Sequence, residues 1–144
     1  IDIIDDICVI TNGSHTDIIA GKIREGMNMK DALALSLLAM DYEKDEYHTP
    51  RIAGVINTKG EGFIGIITDS GIEVKKVNPN ESYYISVYEQ TTPMEVEYPV
   101  KDAHQAAEYI YDQGVFKEFT NPVTSCAAFG KSNGWEIDFK NPQE

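Results

Sequence analysis

The chain has 144 residues, 42% of them hydrophobic, and a formal net charge of −12. That size and content predict one globular domain over 1–144 with a real core, while the excess of carboxylates argues against a general nucleic-acid surface, because a polyanion is held by Lys and Arg that displace its counterions. No apolar run approaches the ~20 residues of a membrane span, and Cys8 and Cys126, in apolar contexts without metal-ligand spacing, read as reduced core thiols of a soluble, cytoplasmic protein.

Residues 1–11 (IDIIDDICVIT) are β-branched and apolar enough for a strand or hairpin arm, and Asn12-Gly13 supplies a turn. The opening at Ile1 reads as the middle of a strand, so an upstream segment is expected to be missing from this chain. Ser14 and Asp17 form an S-x-x-D box ahead of Ile18, Ile19 and Ile23, with Gly26 closing that helix. Asn28 and Asp31 repeat the start signal before a second helix over Ala32–Met40, apolar around most of its circumference and therefore expected between layers. RIAGVIN (51–57), GFIGIIT (62–68) and GIEVKKV (71–77) read as strands, and SYYISVYEQ (82–90) as a fourth. An amphipathic helix follows at Asp102–Gln113, ended by Gly114; Asn121-Pro122 starts a last short helix through Phe129, and Gly134–Phe139 is a terminal strand. Helices early and late with strands meandering between them predict α+β, helices covering a mostly antiparallel sheet.

Two stretches carry candidate chemistry. NGSHTD (12–17) joins a strand to a helix start, where free N–H groups favour an anion. On spacing alone Ser14 reads first as a plain N-cap there, and His15 first as an exposed first-turn residue, with a hydrogen-bond donor and proton shuttle as the functional alternative. SLLAMDYEKDE (36–46) runs from an apolar segment into four carboxylates. If the helix continues, Glu43 shares a face with Ser36, Ala39, Met40 and Tyr47, and a carboxylate at a helix C-terminus among like charges holds its proton more tightly, which suits a general base. Asp45 and Glu46 read as a solvated rim. Arg51 is a nearby cation that serves a ligand or neutralises Asp41 or Glu43. The histidines and carboxylates form no metal-ligand pattern, and no nucleotide or serine-hydrolase motif occurs, so neither metal nor cofactor is expected.

Several segments together resemble the archaeal-type IMP cyclohydrolases: NGSHTD, GMNMKDALALSLLAMDYEKDEYHTPRIAGVIN (26–57), GFIGIIT, YISVYEQT (84–91), AAEYI (106–110), FTNPVTSCAAF (119–129) and Gly134-Trp135. They span nearly the whole chain in the family's order, and AMDYEKDE followed by TPRIA is specific. The resemblance implies a four-layer αββα sandwich like that of the N-terminal nucleophile hydrolases, without a self-processed nucleophile, since residue 1 is Ile and not Cys, Ser or Thr. It implies closure of 5-formamidoimidazole-4-carboxamide ribonucleotide to IMP with loss of water. Glu43 matches the family's catalytic glutamate, and Asn12, Gly13, Ser14, His15 and Arg51 fall in segments expected to bind that purine precursor. It further implies a homotetramer, and an upstream arginine-rich segment, absent here, as the partner that completes the site. The alternatives are a non-catalytic nucleotide-binding or assembly domain of the same fold, or an amidohydrolase, which would need a nucleophile at a free N-terminus.

Overall fold

The computed structural model describes residues 1–142, which form two compact units, Ile1–Val96 and the part from Glu97 onward. The first holds a five-stranded antiparallel sheet in the order β1 (Asp2–Ile4), β2 (Ile7–Thr11), β3 (Arg51–Asn57), β4 (Gly62–Thr68), β5 (Gly71–Val77). The opening stretch is a hairpin turned at Asp5, whose φ of 51° is one that Asp tolerates. Helices α1 (His15–Arg24) and α2 (Met29–Met40) connect β2 to β3 and cover one sheet face.

Strand alternation sets the packing. Val9, Val55, Ala53 and Ile67 meet Ile19 and Ile23 of α1 and Leu33 and Leu37 of α2 in one core. Each fully buried Leu or Ile there contributes ~1.5–3 kcal/mol. Gly65 lets α2 approach the sheet: a Cβ at this position would lie 2.7 Å from Leu33 Cδ2. The opposite alternation puts Cys8, Ile10, Ile52, Ile56 and Ile64 on the other face, where Cys8 is buried and Ile10 is 44% exposed.

Four sequence expectations need correction. Leu35 and Leu38 of α2 are about half exposed, at 47% and 54%, so that helix is not enclosed between layers within this unit. The expected strand over 82–90 shrinks to β6 (Tyr83–Tyr84), paired with β7 (Met94–Glu95). The Ser86 N–H donates to the Gln90 carbonyl at 2.8 Å, and the Gln90 N–H to Ser86 Oγ at 2.7 Å. That local turn takes the hydrogen bonds a strand would have used.

In the second unit α3 (Ala103–Asp112) begins at Asp102, whose carboxylate accepts the Gln105 N–H at 2.7 Å, and it packs on the hairpin of β8 (Ser125–Lys131) and β9 (Gly134–Lys140). A 3-10 turn at Gly114–Glu118 follows α3. The third correction lies here: no helix runs from Asn121 to Phe129, because 125–131 pairs in full register with 134–140 around the Ser132-Asn133 turn. The fourth concerns Cys126, which is exposed on the hairpin face away from α3; only Cys8 is a core thiol. Among the described residues no helix is long and apolar enough to cross a membrane. Among the described residues the fold is mixed α+β with antiparallel sheets, as the element pattern predicts, and has three α-helices where four were expected.

Candidate active site

The acidic stretch does not prolong α2. The helix ends at Met40, where Asp41 takes φ 57° and its N–H closes the last turn on Leu37 O at 2.9 Å. Residues 41–50 form an irregular loop, so Glu43 is not on a helical face with Ser36 and Met40, and the helix-end argument for its proton affinity does not apply. The loop is built by its own polar groups. Glu43 N–H donates to Thr49 O at 2.8 Å, and Asp45 accepts from the Thr49 N–H and hydroxyl at 2.8 and 2.6 Å. Asp45 is thus exposed, as a rim residue should be, yet also shapes the loop.

Arg51, the first residue of β3, is the part-buried centre of this region, its side chain 14% exposed. Its Nε donates to Asp41 O at 2.9 Å and its Nη1 to Glu43 Oε1 at 3.1 Å. One guanidinium therefore fixes both the end of α2 and the Glu43 carboxylate, which is 43% exposed and open to an incoming molecule. The reading of Arg51 as a partner of Glu43 matches this geometry; Asp41 is met through its carbonyl, while its carboxylate bonds Lys44, which holds the Asp41 carboxyl below its usual range.

The 12–17 segment reaches the same place by strand pairing. Asn12 Nδ2 donates to Pro50 O at 3.1 Å and Asn12 Oδ1 accepts the Ile52 N–H at 3.0 Å, so both ends of this amide are spent on the backbone flanking Arg51. Gly13 brings its Cα against the site: a Cβ there would sit 3.4 Å from both Arg51 Nη1 and His15 Nδ1. Ser14 occupies the N-cap position of α1 but makes no side-chain capping bond, contrary to the box expected from sequence. Thr11 and Thr16 organise the turn instead, through Gly13 N–H to Thr11 Oγ1 at 3.1 Å and Thr16 Oγ1 to Gly13 O at 3.0 Å.

His15 is fully buried rather than exposed in the first turn. Its Nε2 donates to Ile52 O at 3.0 Å, which leaves Nδ1 as a buried acceptor with no hydrogen-bond partner. Burial lowers its pKa and the Ile52 carbonyl partly opposes this, so the ring is neutral near pH 7. A neutral His15 in this tautomer accepts rather than donates on its free side and cannot hold an anion there.

Asn12, Gly13, His15, Glu43 and Arg51 thus form one cluster; Ser14 lies at its edge on the start of α1. Sequence reading missed Thr11 and Thr16, for which a Thr two residues before Gly13 was the available sign, and the carbonyl of Asp41, for which there was none. Among the described residues no group of three or more His, Cys, Asp or Glu side chains could hold a metal ion.

Comparison with known proteins agrees on one family. The profile described as IMP cyclohydrolase-like protein matches residues 1–134. A Methanosphaera stadtmanae protein named IMP cyclohydrolase is 74% identical over 142 residues, which cover 99% of this chain and 70% of that relative. Proteins of the same name from Methanococcus maripaludis strain S2 and Methanocella arvoryzae are 46% and 38% identical over 90% and 96% of this chain, and the matched parts make up 65% and 68% of those relatives.

Proposed function

This chain belongs to the IMP cyclohydrolase-like family, and from that membership we propose that it closes 5-formamidoimidazole-4-carboxamide ribonucleotide to IMP with loss of water, in purine biosynthesis. The observation that carries the reading is the Glu43 carboxylate, held at 3.1 Å by a part-buried Arg51 and still 43% exposed. Ring closure moves two protons. The carboxamide nitrogen gives up one as it bonds to the formyl carbon, and the formamide nitrogen gives up the second as the C–O bond breaks and the C=N bond forms; the oxygen leaves as water. Glu43 takes the first proton and returns it to the oxygen, a role worth ~10²–10⁴ in rate. Arg51 orients that carboxylate. Asn12 keeps Arg51 in register through Pro50 and Ile52, and Gly13 leaves room beside it. The start of α1, where the Ser14 hydroxyl is uncommitted to the helix, is the place for the substrate phosphate.

The finer architecture and assembly follow the same reading. In each unit helices cover one sheet face and leave apolar residues on the other: Ile10, Ile52 and Ile64 in the first, Ile137 and Phe139 in the second. Such halves are the material of a four-layer αββα sandwich. Exposed Leu35 and Leu38 support a homo-oligomer. The activity is tested by incubating the chain with the formylated ribonucleotide and following IMP absorbance, alongside a chimera carrying the rest of the Methanosphaera stadtmanae relative. Weak turnover by the chain and strong turnover by the chimera is the expected result, since Arg51, the cation of the cluster, is already engaged by Glu43 and Asp41. No IMP from either protein would overturn the reading.

A further inference from the structure

Glu43 is held at two points. Its carboxylate meets Arg51 Nη1 at 3.1 Å, and its N–H donates to Thr49 O at 2.8 Å. Both partners belong to one short run of chain, 49–51, whose middle carbonyl, that of Pro50, accepts Asn12 Nδ2 at 3.1 Å. The frame of the carboxylate is therefore only as steady as Thr49, and Thr49 is pinned through its side chain. Its Oγ1 lies 2.6 Å from Asp45 Oδ2 and 2.9 Å from Tyr88 OH.

The direction of these bonds follows from counting protons. A hydroxyl has one to give, and an ionised carboxylate only accepts. The Thr49 hydroxyl, and after it the Thr49 N–H, hold the Asp45 carboxyl below its usual range. Thr49 thus donates to Asp45, and Tyr88 must donate to Thr49. The result is a directed chain from Tyr88 through Thr49 to Asp45, in which each bond polarises the next. Tyr88 lies 39 residues beyond Thr49, on the 86–90 turn that is closed by Ser86 and Gln90. Its side chain is exposed, so the hydroxyl rather than burial ties this turn to the Glu43 loop. Given the cyclohydrolase reading, on which this rests, we propose that Tyr88 is a positioning residue: acting through Thr49, it steadies the Glu43 backbone so that Arg51 presents the carboxylate in one orientation.

The test joins amide hydrogen exchange by NMR on the whole chain, without substrate, to kinetics on the chimera. Tyr88→Phe keeps the ring and removes the donor, Thr49→Val removes the relay, and Thr49→Ser restores it. In the first two variants the Glu43 amide is expected to exchange ~5-fold faster or more, while amides of the β3–β4 ladder keep the parent's rates and Thr49→Ser behaves as the parent. In the chimera Tyr88→Phe is expected to lower kcat ~10-fold at an unchanged KM, and Thr49→Ser to keep most of the activity. Unchanged Glu43 exchange in Tyr88→Phe would overturn the inference, as would acceleration spread over the whole sheet, which marks general destabilisation. A raised KM at the parent's kcat would also overturn it, by making Tyr88 a substrate contact. An inactive parent chimera ends the cyclohydrolase reading instead, and the exchange rates alone then decide whether Tyr88 holds Glu43.

Discussion

At the scale of single residues the site turns on how one guanidinium is divided. Arg51 holds a backbone carbonyl and a carboxylate at once, so Glu43→Gln keeps the shape of the contact and removes only the ability to take a proton. Turnover of the active form is expected to fall ~10²-fold or more with little change in substrate affinity, read from separate kcat and KM values. Because the carboxylate is 43% exposed, the lost ion pair is expected to cost about 1 kcal/mol or less in a urea titration. His15 gives a second expectation. Its pKa is lowered in the fold, so below the ordinary value near 6.5 the unfolded chain binds a proton that the native chain refuses, and stability falls as pH falls from there. The carboxylates held low by hydrogen bonds, Asp41, Asp45, Asp69 and Asp138, weaken the fold only as pH drops below the carboxylate range near 3.8. Denaturation between pH 7 and 5 is therefore expected to show a decline that His15→Gln flattens.

At the scale of elements, the sequence was legible wherever one face is buried against a neighbour. The strands at 51–57, 62–68 and 71–77 stand where alternation and turn residues put them, and the caps at Asn28 and Asp102 accept N–H groups three residues on. It was misleading where polar groups nearby in sequence compete with a ladder or a helix. Ser86 and Gln90 close a turn inside an alternating run, and Thr124 Oγ1 donates to Lys140 O at 3.0 Å where Asn121-Pro122 suggested a helix start. The site was legible as two segments, 12–17 and 41–51, but not as a geometry. That Asp41 would leave the helix at positive φ with its carbonyl on Arg51, ten residues on, and that His15 would be buried in the tautomer set by the Ile52 carbonyl, 37 residues away, cannot be read from either segment alone. A direct check on the packing of α2 is Gly65→Ala. The added methyl would meet Leu33 Cδ2 at 2.7 Å and Leu37 Cδ1 at 3.1 Å, and a loss of ~1–3 kcal/mol is expected in chemical denaturation.

At the scale of the whole molecule the two units differ in what holds them. The first buries ten core residues around a continuous sheet, whereas the core of the second consists of Ala106, Ala107 and Ala127 with Tyr98, Val100 and Ile110 packed around them. Tyr98 is the anchor there: its hydroxyl donates to Ala106 O at 3.1 Å, and burial pushes its pKa up to about 12. A fragment of 1–96 is expected to keep a cooperative melt followed by circular dichroism, and a fragment of 97–144 to remain unfolded, being below the size at which a small core suffices. The single-domain expectation from sequence would then hold in the sense that the second part folds only within the full chain. With no gathered metal ligands among the described residues, chelators are expected to leave turnover unchanged; loss restored by zinc or magnesium would contradict this.

The double clamp of Asn12 on Pro50 and Ile52 also sets an order of events. Both bonds span some 38 to 40 residues and require β2 and β3 to be paired first, whereas α1 and α2 close through local contacts. Long-range pairing is the slow part of folding for topologies of this kind. Helical signal should therefore return early in a refolding experiment, and the Glu43 loop should take its working shape only with the final strand registry. Until that moment the chain holds all of its chemical groups and none of their arrangement.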